Sequence, residues 1–388
     1  MKTLITLLIN VVCLLPLPGK AFQLSNEAEI SILTCSPGKE LYSLFGHTAI
    51  RVQDPKANLD EVFNYGTFDF DTPYFYLKFA QGLLPYQLSA TSFRNFMLSY
   101  QMEERSVYSQ RLRLDSLQKQ ALFDLLLENY RPENRSYLYN FLFDNCTTRA
   151  RDIIDKSLQN SHFEWNTPDL DKNFWNLLDE YLAVSPWVQW GIHTILGQRG
   201  NRTATPYQYM FLPDYLMYGL NTATIDHKHL AEKAQLLYEA PEQDNATPWY
   251  FAPLFIFGIG ALLLIILLWK SRGKAMLNTI VLPTFLFTGL VGCLLVFLGG
   301  FTAHPITAPN WNILWANPLN LIALPFLLGK HLPRFIAIYL KIYMVLLVAA
   351  LPAWVICQPA VPMPSVFLII LMLFLCLQLR AKKMHNRL

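Results

Sequence analysis

The chain has 388 residues, 53% of them hydrophobic and only 15% charged, with a formal net charge of +3. That balance carries no nucleic-acid signature, and the apolar weight gathers at the two ends, as in an exported membrane protein. Residues 1–21, MKTLITLLINVVCLLPLPGKA, begin with a lysine-bearing start, continue through an apolar run too short for a comfortable span and end on small residues. This predicts a secretory signal cleaved near Ala21. Cys13 follows Val11 and Val12 rather than a small residue, so it reads as an apolar residue of the signal and not as a lipid-attachment site.

Residues 22–247 are polar enough for a soluble domain and alternate between helical and strand-like stretches, which predicts an α+β fold around a single core. In SLFGHTAIRV, His47 heads a predicted strand over residues 48–52. A loop with Pro55 and Asn58 follows, then a second strand over residues 61–66. Two neighbouring strands would bring Asn64 close to His47. Ser116 to Tyr130 reads as an amphipathic helix through Leu117, Ala121, Leu125 and Leu126, stopped by Pro132.

In FLFDNCTTRARD, Asp144 and Asn145 are good N-cap residues, and Ile153, Ile154 and Leu158 form one apolar helical face. Cys146 would sit in the first turn, where the positive end of the helix dipole favours a thiolate. Asp144 opposes this unless its carboxylate is otherwise engaged. Further on, Trp187, Trp190, Phe211, Tyr215 and Tyr218 make an aromatic-rich stretch. Core packing is the ordinary reading for such residues, an acyl pocket or a membrane-facing surface the alternative.

After Thr247 five apolar stretches follow, at residues 251–269, 276–299, 313–328, 335–356 and 366–379, each near the roughly 20 residues that cross a bilayer, the third and fifth being short. They define a membrane domain over residues 248–380 and a basic tail over 381–388. Lys270, Arg272 and Lys274 follow the first stretch, Lys330, His331 and Arg334 the third, and Arg380, Lys382, Lys383 and Arg387 the fifth. Such clusters belong on the cytoplasmic side. Residues 302–312 and 357–365 carry no Lys or Arg and belong outside with the soluble domain, the orientation a signal sequence also demands. The expected localisation is the bacterial inner membrane, multi-pass, with the N-terminal domain periplasmic and the C-terminus cytoplasmic. In the first outer loop His304, Asn310 and Asn312, with Asn317 and Asn320, are candidates to bind a lipid headgroup or acceptor, although Trp311 and Trp315 also fit an ordinary interfacial belt. Lys341, inside the fourth stretch, either snorkels or finds a partner in the bundle.

The chemistry lies in Cys146 and His47. A thiol alone is a weak nucleophile at neutral pH, and an imidazole within hydrogen-bond reach makes it a thiolate while holding a proton for the leaving group. The pair predicts a covalent acyl enzyme. A third polar group commonly fixes the imidazole tautomer, and Asn64 is the nearest candidate, with Tyr65 second. Tyr65 and Asn145 also flank the pair as candidates to hold substrate. Backbone N–H groups at the Cys146 helix start are the natural oxyanion donors. Cys35 is the other cysteine of the soluble domain, so a Cys35–Cys146 disulfide, which an oxidising compartment permits, is the chief rival. No close His or Cys pair has zinc-ligand spacing, so no metal and no cofactor are expected.

The stretches LTCSPGKELYSLFGHTAIRV, VFNYGTFDF and PENRSYLYNFLFDNCTTRARD resemble the Lnb N-terminal periplasmic domain family of Bacteroidetes. More distantly, a His on a strand followed by Asn-Cys at a helix start is similar to the circularly permuted papain-like acyltransferases typified by lecithin:retinol acyltransferase. The resemblance implies such a core, with Cys146 as nucleophile and His47 as base. The third group of the distant relatives is usually a His, where this chain offers Asn64. With the membrane segments included, the resemblance covers nearly the whole chain. It implies a lipoprotein N-acyltransferase whose partners are a phospholipid acyl donor and a diacylated lipoprotein acceptor. A cell-wall peptidase or amidase, a phospholipase using water in place of the amine, and a noncatalytic membrane scaffold are the competing readings.

Overall fold

A computed structural model of the chain describes residues 22–158, 161, 163–241, 247–271, 274–329, 331–357 and 362–384. The expected signal segment, with Ala21 and Cys13, lies outside the described residues, as do Arg272, Lys330 and Arg387. An antiparallel sheet organises the N-terminal part. Its strands are β1 (Glu29–Cys35), β2 (His47–Asp54), β3 (Leu59–Thr67), β4 (Pro85–Ser92), β5 (Val107–Arg111) and β6 (Ser136–Leu138), joined at one edge by a late strand. Three short strands, β7 (Phe163–Glu164), β8 (Thr224–Ile225) and β9 (Lys228–His229), form a separate small sheet, and the late strand is β10 (Gln235–Tyr238). The large sheet runs in the order β10-β5-β1-β2-β3-β4-β6.

β1 lies near the middle and is apolar on both faces, all but its first residue being buried. The connection from β2 to β3 is a tight turn. The Asp54 carboxylate accepts from the Lys56 amide at 3.1 Å, and Asn58 takes the left-handed conformation that asparagine tolerates. That turn sets the register, with Asp54 opposite Leu59 and Ile50 opposite Phe63.

Helices α1 (Phe75–Gln81), α2 (Phe93–Met102), α3 (Ser116–Tyr130), α4 (Cys146–Ser157), α5 (Phe174–Leu182), α6 (Pro186–Ile195), α7 (Pro206–Tyr209) and α8 (Pro213–Thr222) complete this part. α3 and α4 cover one face of the sheet, where Ile50, Val52 and Phe63 pack with Leu122, Leu126, Ile153 and Ile154. The apolar face of α4 is the one its sequence predicts. The α3 face is rotated from the expected one, since Leu122, Phe123 and Leu126 are buried and Leu117 is 83% exposed. α3 carries apolar residues most of the way round, so its contact with α4, not its periodicity, decides which side is covered.

The membrane part consists of α9 (Pro253–Ser271), α10 (Lys274–Gly300), a third crossing over Trp311–Leu328, α12 (Arg334–Cys357) and α13 (Pro364–Met384), five segments long and apolar enough to span a bilayer. The third is broken. It consists of a 3-10 turn at Trp311–Leu314, a bend through Pro318, and α11 (Leu319–Leu328). Irregular backbone at such a position must be satisfied by neighbours. The Trp315 carbonyl accepts from the Tyr343 hydroxyl at 2.5 Å, and Asn320 holds that hydroxyl in place, donating to it at 3.0 Å and to the Thr288 hydroxyl at 2.9 Å and accepting from Tyr339 at 2.6 Å. Lys341 lies on an exposed face of α12.

The two parts are locked together through α6. Its last carbonyls would otherwise lack partners. Asn310 donates to the Thr194 carbonyl at 2.9 Å and the Ile195 carbonyl at 3.1 Å, and Asn312 donates to His193 at 3.2 Å and Thr194 at 3.1 Å. Asn312 in turn accepts from the Trp315 indole at 2.9 Å and the Trp354 indole at 3.1 Å. On the same helix Trp187 donates to the Phe251 carbonyl at 2.7 Å and Trp190 to the Ser365 hydroxyl at 3.0 Å. The aromatic-rich stretch therefore divides: Trp187 and Trp190 meet the membrane helices, while Phe211 is core.

Candidate functional site

Cys146 is the first residue of α4, and Asn145 is its N-cap. The Asn145 side-chain oxygen accepts from the Thr147 amide at 2.9 Å and the Thr148 amide at 2.8 Å, and the Thr148 hydroxyl accepts from the Asn145 amide at 2.8 Å. The Asn145 NH₂ donates to the carbonyls of Phe141 at 2.7 Å and Phe211 at 2.8 Å. Every polar atom of this side chain is thus spent on fixing the turn that bears Cys146. Asp144 is not the cap. Its carboxylate is paired in bidentate fashion by Arg149, at 2.6 and 2.9 Å, which offsets its repulsion of a nearby thiolate.

His47 opens β2. Gly46 precedes it at φ 78°, and a Cβ there would come within 2.6 Å of the Cys35 carbonyl, so only glycine lets the chain enter the strand beside β1. Continuing the β2–β3 register puts Ala49 opposite Asn64, making His47 and Asn64 diagonal neighbours on one face. The expected proximity is present: His47 Nε2 lies 3.3 Å from Asn64 Oδ1. Because the Asn64 NH₂ donates to the Val62 carbonyl at 3.2 Å, its oxygen is the atom turned to the ring. Nε2 therefore carries the proton, which leaves Nδ1 with the free lone pair of the ring.

Electrostatics follow from this packing. Burial raises the Cys146 thiol, but the charge and hydrogen bond of His47, the Thr48 amide and the Thr147 hydroxyl outweigh it, and the thiol is lowered to about 7. Thr147 Oγ1 lies 3.7 Å from the sulfur and 3.1 Å from Thr48 Oγ1, which ties α4 to β2 at this point. Cys35, paired with His47 across β1 and β2, is a contrasting case. Complete burial pushes its thiol up to about 12, although Arg105 and Tyr100 act in the other direction. Both cysteines are free thiols, and no disulfide joins them.

Aromatic side chains wall the site. A Cβ on Gly66, at φ 85°, would stand 3.5 Å from Cys146 Cβ, 3.5 Å from Tyr139 Cε2 and 4.0 Å from the Tyr137 hydroxyl. The bare backbone at Gly66 leaves this space open beside the sulfur. Tyr137 went unnoticed in the sequence, where it is one of two alternating tyrosines, Tyr137 and Tyr139. Its ring lies under the Arg149 guanidinium at 3.4 Å, and its buried hydroxyl has no hydrogen-bond partner among the described residues. The expected oxyanion donors need revision. The Thr147 and Thr148 amides are taken by Asn145, which leaves the Cys146 amide as the first-turn donor, beside the unpartnered Tyr137 hydroxyl.

The remaining candidates lie elsewhere or are engaged. The Tyr65 hydroxyl accepts from Asn129 at 2.6 Å, His304 Nε2 donates to the Ala80 carbonyl at 3.1 Å, and Asn310 and Asn312 hold the end of α6. The structure brings together Cys146, His47, Asn64 and Asn145, and it gives the outer-loop residues the work of joining two domains. Among the described residues no group of three or more histidine, cysteine or carboxylate side chains forms a metal-binding set.

Replacing Asn64 by Ala frees the imidazole to rotate and to change tautomer. Turnover through Cys146 is expected to fall roughly 10- to 100-fold. Steady-state assays should register this mainly in kcat, with KM nearly unchanged, because Asn64 faces His47 rather than the open space beside Gly66.

Residues 21–178 match the family model described as the Lnb N-terminal periplasmic domain, and residues 241–385 match the Lnb transmembrane domain. No curated protein and no solved structure matches the chain.

Proposed function

Since the chain belongs to the Lnb family and is a multi-pass membrane protein with a periplasmic N-terminal domain, we propose that it is a lipoprotein N-acyltransferase acting through a Cys146 thioester. The observation that carries this reading is a thiol lowered to about 7 by His47, on a domain held against a five-span bundle. A soluble hydrolase has no need of that bundle. Two lipid substrates do, since their carbonyls lie at the depth of the membrane surface.

In the first half-reaction His47 Nδ1 takes the Cys146 proton and the sulfur attacks an ester carbonyl of a phospholipid. The Cys146 amide and the Tyr137 hydroxyl are the donors for the oxyanion that forms. As the carbon–oxygen bond breaks, His47 returns the proton to the departing alcohol, which leaves as lysophospholipid, and the acyl group stays as a thioester. In the second half the α-amine of a diacylated lipoprotein cysteine attacks the thioester, His47 takes its proton, and the sulfur leaves with that proton restored. The product is an amide. The order of parts, a His strand before a Cys helix start on an antiparallel sheet, supports the permuted papain-like reading of the core. The proposed organisation keeps a signal at residues 1–21, the catalytic domain at 22–247, the spans at 248–380 and the tail at 381–388. The basic clusters favour a cytoplasmic C-terminus in the inner membrane.

The test uses the purified full chain with phospholipid and a synthetic diacylated lipopeptide bearing a free amine. A lipopeptide gaining one acyl mass is the expected result. Free fatty acid without lipopeptide gain would replace the transferase by a phospholipase, and neither product from folded protein would remove both.

A further inference from the structure

Between β3 and β4 the chain makes an aromatic excursion over residues 68–83, with α1 at its centre. No residue of α1 is buried. Tyr74 is 79% exposed and Tyr76 82%, with Phe70 and Leu77 also open. Clustered large apolar side chains of this kind mark a contact surface rather than an ordinary solvated face.

What covers them is indicated by where the helix ends. Its terminal carbonyls are capped by the outer loop of the membrane part, Ala303 donating its amide to Gln81 at 2.9 Å and His304 its ring N–H to Ala80 at 3.1 Å. That loop begins where α10 stops at Gly300. The exposed aromatic surface is therefore continuous with the end of a span, at the height where tyrosine and phenylalanine meet headgroups and upper acyl chains.

The excursion also connects inward. Phe75 lies against Phe68 at 5.7 Å between ring centroids, Phe68 against Tyr86 at 5.2 Å, and Tyr86 stacks on Tyr139 at 4.3 Å. Tyr139 and Cys146 then face the same point beside Gly66. One unbroken aromatic row leads from the membrane-level helix to the sulfur.

We propose that residues 68–83 enter the periplasmic-facing leaflet, and that this row is the wall along which a phospholipid's acyl chain and ester pass from the bilayer to Cys146. The first half stands on geometry alone, while the second rests on the acyltransferase reading. A rigid aromatic wall suits an acyl chain because it offers apolar area at little conformational cost.

The full chain is placed in phosphatidylethanolamine–phosphatidylglycerol nanodiscs with a benzophenone amino acid at Tyr76, or at Leu117 on α3 as a control. α3 packs on α4 and β4. Irradiation is expected to attach phospholipid at position 76 and not at 117, and failure to do so overturns the leaflet contact. In parallel, Tyr76→Glu with Leu77→Glu is expected to raise KM for phospholipid roughly tenfold or more, with a smaller change in kcat. The Cys146 titration of the same variant reports whether its site is folded. Lipid attachment with an unaltered KM overturns the acyl path. Attachment without any acyl transfer by the unsubstituted protein overturns the transferase reading and leaves the leaflet contact in place.

Discussion

Cys146→Ser is expected to abolish acyl transfer, lowering turnover on the order of 10⁴-fold or more. The size of the effect follows from what the site is built to ionise. His47, the Thr48 amide and the Thr147 hydroxyl together bring a buried thiol down to about 7, so at neutral pH a large share is already thiolate. A serine hydroxyl in the same place starts far higher, and the same neighbours leave it protonated. The change is otherwise small. Asn145 caps α4 through the Thr147 and Thr148 amides, neither of which depends on the sulfur, so the helix start and its oxyanion donors should survive. Loss of activity would then be loss of the nucleophile. Intact-protein mass after incubation with phospholipid alone is the direct readout: the unsubstituted chain should gain an acyl mass that hydroxylamine removes, and the serine variant none. Transfer persisting in the variant would eliminate every thiol mechanism.

Much of this site was legible because its parts are encoded locally. A helix start with Asp-Asn before Cys146, and a strand beginning at His47, are short-range signals that tertiary packing did not override. Asn64 followed from one turn between two strands. Where a placement depends on distant contacts the sequence said less. It suggested Asp144 and Asn145 alike as caps, and the outcome turned on Arg149, five positions beyond Asp144, which pairs that carboxylate. It singled out Asn310 and Asn312 as polar groups of the outer loop, yet nothing in that loop tells that α6, more than a hundred residues earlier, would present its last carbonyls there.

Hydropathy has the same limitation. It found the third crossing by counting apolar residues, which says nothing of whether they form one helix. Pro318 and the Asn320 network produce a turn, a bend and a short helix in its place. Tyr137 is the clearest omission, since what singles it out is an unpartnered hydroxyl beside Gly66, a property of the folded chain alone.

Replacing His47 by Ala is expected to move the ionisation of Cys146 from about 7 to beyond the ordinary 9.0 of a thiol. Burial, the largest influence, raises it, and the charge and hydrogen bond of His47 are the strongest opposing ones. With them gone, the Thr48 amide and Thr147 hydroxyl are left against full desolvation. At pH 7 the thiolate share would drop to roughly one part in a hundred or less. Acyl transfer should fall further than that, about 10³-fold or more, because in the proposed mechanism the same ring also shuttles the proton to the leaving alcohol and from the attacking amine. The sign of the pH dependence separates the two contributions. A thiolate accumulates above its pKa, so alkylation of Cys146 by iodoacetamide should accelerate from pH 6 to 8 in the unsubstituted chain and then level off. In the variant it should be far slower at pH 7 and still be climbing at pH 9, without levelling off there. Peptide mass mapping resolves Cys146 from Cys35, whose thiol, pushed up to about 12 by burial, should stay unmodified throughout and so serve as an internal control. An inflection still near 7 without His47 would mean that the helix start and its hydroxyl neighbours ionise the sulfur unaided, and the general base would have to be sought elsewhere.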